Sequence, residues 1–195
     1  MGLREINAER TRQLIVEAAM ELFFTRGYDE TTMEDVAAHA GIGNSTLYRY
    51  FPTKDQLGSS LLGDPGLMAE ELASRPVDEP IEQALGRALL AFLQTRSEDR
   101  QRGESFRQLL SDNPRLGMRV VEWLMETHDL LSAAVAARQG REPGDLSSRA
   151  AAWSAVFVLQ EVGAATDAGD SRDGVVIARE VMRTLARAEV VTPRA

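Results

Sequence analysis

Apolar residues in this chain recur at intervals of three and four and nowhere alternate residue by residue, a pattern that admits helices and leaves no half-buried strand. Leu14, Ile15, Ala18, Ala19, Leu22 and Phe23 share one helical face, and Gly27 supplies its stop. Met33, Val36, Ala37 and Ala40 repeat the spacing behind Thr32, which forms a capping box with Asp35 in place of the usual Glu. A third short helix covers Asn44 to Phe51, with Leu47 and Phe51 on one face; Pro52 ends it because proline has no N–H to donate. Thr53 and Gln56 open a fourth near Lys54, which runs through Leu62 until Gly63-Asp64-Pro65-Gly66 breaks it. Further helices are expected over Leu67 to Ser74, from Ile81 through Phe92, and over Arg100 to Asp112. Asn113-Pro114 then opens a long one reaching Arg138, and Leu146 to Thr166 and Arg172 to Ala188 close the series.

A length of 195 residues accommodates one ordinary domain or a small one joined to a larger one. The absence of cysteine removes disulfides, a thiolate nucleophile and any Cys-based zinc site. Of the two histidines, His39 and His128, neither follows a Glu by three residues, so the ligand pattern of a di-iron bundle is missing. No Gly-Lys-Ser/Thr phosphate loop and no Gly-x-Ser-x-Gly elbow occurs. A non-enzyme with no cofactor and no metal is therefore expected. The most apolar run, Ala150 to Ala165, is interrupted by Ser154, Gln160 and Glu161 and is too short to cross a bilayer. The polar first residues lack a secretory signal, and the cytoplasm is the expected location.

The two short helices joined by Gly41-Ile42-Gly43 have the dimensions of a helix-turn-helix, with a glycine where the turn needs a left-handed backbone. In such a unit the second helix enters the major groove of DNA, which here turns Asn44, Ser45, Thr46, Arg49 and Tyr50 outward. These side chains are suited to hydrogen-bond bases and phosphates. A net charge of −8 argues against coating nucleic acid indiscriminately, yet no Asp or Glu occurs between Val36 and Lys54. Lys54, the chain's only lysine, sits at a helix N-terminus, where the macrodipole disfavours a cation unless an anion such as a DNA phosphate binds there.

The uninterrupted stretch from Thr31 to Leu57, with its Gly41-Ile42, Thr46-Leu47-Tyr48, Tyr50-Phe51 and Lys54, resembles the DNA-binding signature of the TetR/AcrR family of transcriptional regulators. The resemblance implies an all-α fold: an N-terminal three-helix helix-turn-helix DNA-binding domain followed by a larger helical ligand-binding and dimerisation domain. Residues 1–53, with the motif at about 32–51, are assigned to the first and residues 54–195 to the second. It places Ser45 and Thr46 at the DNA and Asn44 where members often read a base, brings Tyr48, Tyr50 and Lys54 to phosphates, and adds Thr32 at the start of the first motif helix. Arg49 joins them from its outward position. Two departures occur: Gly43 stands where Ser often caps the recognition helix, and Ser45 where Gly is frequent.

The resemblance further implies a homodimer on a roughly palindromic double-stranded operator, acting as a repressor tuned by a small molecule. Met68, Phe92, Phe106, Leu109, Leu110, Trp123, Met125 and Phe157, with His128 as a polar group, are the candidate lining of an effector pocket, since Met and aromatic side chains make adaptable apolar walls. The same residues also suit an ordinary core. An apolar or amphipathic effector is expected. Because residues 150–165 are apolar around most of the helix circumference, the last two helices are expected to meet a second copy through Ala151, Ala155, Val158, Val162, Val181 and Leu185. A dimeric helical DNA-binding module with no effector is the alternative.

Overall fold

The computed structural model describes residues 2–97, 108–110 and 112–187. Among the described residues every regular element is helical and none is a strand. The elements are α1 (Leu3–Arg26), α2 (Met33–His39), α3 (Asn44–Tyr50), α4 (Lys54–Ser59, extended by the 3-10 turn Ser60–Leu62), α5 (Leu67–Ser74), α6 (Ile81–Ser97), α7 (Pro114–Arg138), α8 (Leu146–Asp167) and α9 (Gly174–Arg187). Residues 108–110 and 112 are also helical, and the rest of the segment expected as a helix from Arg100 lies outside the described residues. The first helix begins well before the apolar face at Leu14. Its opening turns are rich in Arg and Glu, which favour helix by propensity without forming an apolar stripe.

The chain divides into two compact units: the described residues up to Asp64 together with those between 108 and Trp123, and those from Pro65 to 97 together with Leu124 to 187. In the first, Ile15, Ala19, Leu22 and Phe23 of α1 form one core with Val36 and Ala37 of α2, Leu47 of α3, Phe51, Leu57 of α4, Leu109 and Leu116. Leu57 and Leu116 are nearly inaccessible to solvent. The unit containing the helix-turn-helix is thus larger than residues 1–53, because α4 and the start of α7 complete its core. Gly63, at φ 83°, takes the left-handed backbone that ends the 3-10 turn, and its carbonyl accepts the indole N–H of Trp123 at 2.9 Å.

In the second unit α5 packs on α6, and α9 packs on both α8 and α6. Met68 and Leu72 of α5, Ala84, Leu89 and Phe92 of α6, Leu131 and Val135 of α7, Ala155, Val156 and Val158 of α8, and Ile177 and Ala178 of α9 are buried. The loop after α5 is held by Arg138 at the end of α7. Its guanidinium donates to the carbonyls of Arg75 and Glu79, each at 3.1 Å, to that of Leu72 at 3.5 Å, and to that of Pro76. Asp145 caps α8, accepting from the Ser148 N–H and hydroxyl and from Arg141, each at 2.9 Å.

Candidate nucleic-acid interface

The turn between α2 and α3 is fixed from both sides. Gly41 has φ 67°, and the Ile42 N–H returns to the Ala37 carbonyl at 3.0 Å while the Ile42 side chain packs on the core. Gly43 caps α3 through its extended backbone alone, so the departure from the usual Ser costs no side-chain bond the helix depends on. Leu47 is fully buried and Phe51 nearly so. These two anchors set the phase of α3: Asn44, Ser45, Tyr48 and Arg49 are exposed, and Thr46 and Tyr50 are half-buried. The Arg49 guanidinium lies 5.5 Å from the centre of the Tyr50 ring.

Thr32 opens α2 with a complete capping box. The Asp35 N–H donates to its hydroxyl oxygen at 3.1 Å, and its own N–H and hydroxyl donate to the Asp35 carboxylate at 2.9 and 2.6 Å. Those bonds from Thr32 hold the Asp35 carboxyl below its ordinary range.

The stretch without acids between Val36 and Lys54 is not an acid-free surface. The Tyr48 hydroxyl donates to Glu34 at 3.1 Å, which pushes that phenol up, and His39 meets Glu21 at 2.9 Å. Residues outside the window return beside it in space. Lys54 is half-buried; burial pulls its ammonium below the ordinary value, against the raising influence of Asp29, Asp55 and Glu30. Its Nζ donates to the Asp29 carbonyl at 3.4 Å and stands 4.4 Å from the centre of the Tyr28 ring. The Tyr28 hydroxyl donates to Asp55 at 2.7 Å, and burial followed by that bond pushes the phenol well up. Tyr28 and Glu34 are the functional neighbours that sequence reasoning missed. An aromatic just after a helix-ending glycine reads as core, and Tyr28 is indeed nearly buried, but its two ends also engage charged groups.

The residues expected to line an effector pocket divide between the two units. Leu110, half-buried, and Trp123, bonded to Gly63, belong to the first unit. Leu109 sits in that unit's core and also lines a groove of about 380 Å³ with Phe23, Phe24, Tyr28 and Asn113. Phe106 lies outside the described residues. In the second unit Met68, Phe92 and His128 are buried, whereas Met125 and Phe157 are each 43% exposed. His128 approaches Asp129 at 2.9 Å and the Arg149 carbonyl at 3.3 Å and stacks on Trp153, with ring centres 4.3 Å apart. The preceding residue, Thr127, is fully buried, and its hydroxyl has no hydrogen-bond partner among the described residues.

Of the residues expected between two copies, Ala155, Val158 and Val162 are buried by the chain's own helices, and Ala151, Val181 and Leu185 are half-buried. The open side of α8 carries Trp153 and Phe157 instead. Phe157 lines a surface groove of about 360 Å³ with Glu161, Arg172, Val181 and Leu185. Among the described residues no helix is long and apolar enough to cross a membrane, and no group of three or more His, Asp or Glu converges on a metal-sized point.

Two short helices joined by the turn at Gly41, the second anchored by Leu47 and Phe51 and opening polar side chains to solvent, form a helix-turn-helix. Comparison with known proteins gives the family. The model of bacterial regulatory proteins of the tetR family matches residues 15–60, and a TetR C-terminal model, the MftR C-terminal domain, matches residues 79–189. The chain belongs to the tetR family of transcriptional regulators. The HTH-type transcriptional regulator TcmR of Streptomyces glaucescens is 33% identical over 94 residues, which are 47% of this chain and 41% of TcmR. The match therefore spans about two fifths of that relative's length. Among solved structures, FadR of Bacillus subtilis in complex with stearoyl-CoA is 19% identical, with a TM-score of 0.60, covering 90% of this chain and 97% of its own. Native NalD, the secondary repressor of the MexAB-OprM multidrug efflux pump in Pseudomonas aeruginosa, is also 19% identical at a TM-score of 0.60, covering 92% and 96%. At this identity the two structures share the fold.

Proposed function

We infer that the protein is a homodimeric, sequence-specific repressor working in the cytoplasm, whose affinity for a double-stranded operator is changed by a small apolar or amphipathic effector. The observation that carries the reading is the phase of α3: Leu47 and Phe51 point inward, and Asn44, Ser45, Tyr48 and Arg49 are left on the surface. Asn44, Ser45 and Thr46, in the first turn, read base edges; Tyr48, Arg49, Tyr50, Lys54 and Thr32 meet the backbone on either side. Binding requires Tyr48 to exchange Glu34 for a phosphate, so the free protein holds this hydroxyl in reserve. Catalysis has no part in this reading.

The effector half rests on relatives and on composition. FadR is known with stearoyl-CoA and NalD is a repressor, and the second unit of this chain buries Met68 and Phe92, and also the Thr127 hydroxyl, which has no hydrogen-bond partner among the described residues. An effector acts only through a difference in affinity between the DNA-competent and DNA-incompetent states. A second copy is assigned to the α8–α9 face, where Trp153 and Phe157 lie open and Ala151, Val181 and Leu185 are half-buried.

The test is the salt dependence of duplex binding. Phosphate neutralisation releases counterions, so affinity falls steeply as salt rises. Lys54→Gln lowers the slope of log affinity against log salt by about 1 per lysine engaged, whereas Asn44→Ala or Thr46→Ala changes base preference and leaves the slope. A wild-type affinity that barely changes between low and moderate salt contradicts the assigned face.

A further inference from the structure

Lys54 is surrounded by rivals for its charge. Asp29, Glu30 and Asp55 all influence it, yet among the described residues no carboxylate pairs with it. Its ammonium instead stands 4.4 Å from the Tyr28 ring centre, within the range of a cation–π contact. The nearest rival in sequence, Asp55, is occupied: one of its oxygens accepts the Tyr28 hydroxyl at 2.7 Å. A single side chain thus does two things for the lysine. The ring is held in turn. Tyr28 is nearly buried, lies 4.9 Å from Phe23 between ring centres, and packs beside Gly58 of α4, where its edge carbon would be 3.2 Å from an added Cβ.

We propose that Tyr28 is a positioning residue for Lys54: its ring carries the ammonium and its hydroxyl occupies Asp55, so that the chain's only lysine stays available to a DNA backbone phosphate. The inference rests on the DNA-binding reading above. A cation–π contact neutralises no charge, unlike a salt bridge, and a phosphate approaching from solvent meets an ammonium already oriented and partly desolvated. Tyr28→Phe keeps the ring and releases Asp55, which then competes for Lys54.

The single lysine makes the contact directly observable. Reductive methylation with isotope-labelled formaldehyde gives one side-chain dimethylamine signal beside that of the terminal amine, and Lys54→Gln identifies it by its loss. Protons over an aromatic ring are shielded, so the wild-type signal is displaced upfield from free dimethyl-lysine; Tyr28→Leu returns it to the free position, and Asp55→Asn, which leaves the ring in place, keeps it displaced. In parallel, binding of the full chain to a mixed-sequence duplex is measured at low salt. Tyr28→Phe, which keeps the ring, weakens it by about two- to fivefold, the scale of one exposed ion pair between the released Asp55 and Lys54. That loss disappears in the Lys54→Gln and Asp55→Asn backgrounds, a result that a merely structural role for Tyr28 would not give. A wild-type signal at the free position overturns the ring contact, and a Tyr28→Phe loss that persists undiminished in Lys54→Gln shows that Tyr28 acts elsewhere and overturns the proposal. Absence of duplex binding by the unmodified protein overturns the DNA-binding reading and the phosphate role with it, while the methyl signal still decides whether Tyr28 holds Lys54.

Discussion

Gly58 of α4 packs against Leu116 at the start of α7, and Gly58→Ala probes that contact with one methyl group. An added Cβ would lie 2.7 Å from Cδ2 of Leu116 and 3.2 Å from Cε2 of Tyr28. The first is shorter than packed carbons tolerate and the second is tight, and the side chains concerned have little room to retreat: Leu116 is 1% exposed and Tyr28 7%. Overpacking a filled site costs about 1–3 kcal/mol. Against this, Ala is favoured over Gly within a helix by about 1 kcal/mol. The expected net effect is a destabilisation of up to about 2 kcal/mol, read as a lower urea midpoint at unchanged slope. The decisive arm removes the obstacle. In a Leu116→Ala background, itself weakened by about 2–5 kcal/mol, Gly58→Ala becomes neutral or stabilising by up to about 1 kcal/mol. Stabilisation of the wild type by Gly58→Ala, unchanged when Leu116 is truncated, would refute the reasoning and separate α7 from the unit that holds the helix-turn-helix.

Three further outcomes follow from named bonds. Thr32→Ala removes the hydroxyl from the α2 capping box and lowers stability by about 1 kcal/mol, while Thr32→Asn, a good N-cap, retains most of it; equal thermal midpoints for the two variants would contradict the box. The Asp145 carboxyl is held down at about 2 from an ordinary 3.8 by its bonds with Arg141 and Ser148. A depressed folded value contributes stability above the ordinary value and loses it as pH falls toward the folded one. The gap in thermal midpoint between wild type and Asp145→Asn is therefore present near neutrality and closes as pH drops from the ordinary value toward the folded one; a gap of constant size at all pH would contradict it. Arg138→Met strips the loop after α5 of its donor and costs about 2 kcal/mol or more, and Arg138→Lys does not restore it because one ammonium cannot reach the same set of carbonyls. Full stability of either variant in denaturant melts would show the loop to be held by other means.

Much of this architecture is written in local chemistry. Glycine and proline at 27, 41, 52 and 63 bound the short helices, and the Thr32–Asp35 capping box is legible from two residues because both its bonds are made within one turn. Features set by distant packing were not legible. The first turns of α1 lack an apolar stripe, so periodicity did not reveal them. The window free of acids between Val36 and Lys54 suggested a clear positive face, but charge acts through space, and Glu34, Glu21 and Asp29 arrive from neighbouring elements. On α8 the apolar pattern runs round most of the circumference and therefore carries no phase. Ala155, Val158 and Val162 proved to face the chain's own core, leaving Trp153 and Phe157 outside. Tyr28 has the composition of a core residue whether or not its ring carries an ammonium, and only coordinates place Lys54 above it.

The claim on which the rest depends is that α3 reads DNA sequence as part of a two-fold assembly. Selection of random duplexes by the purified full-length protein at low salt, followed by sequencing of the bound fraction, tests it most directly. Enrichment of a two-fold symmetric motif, with preference at defined positions altered by Asn44→Ala or Thr46→Ala, is the expected result. Enrichment of no motif, or of one that neither substitution changes, would contradict it.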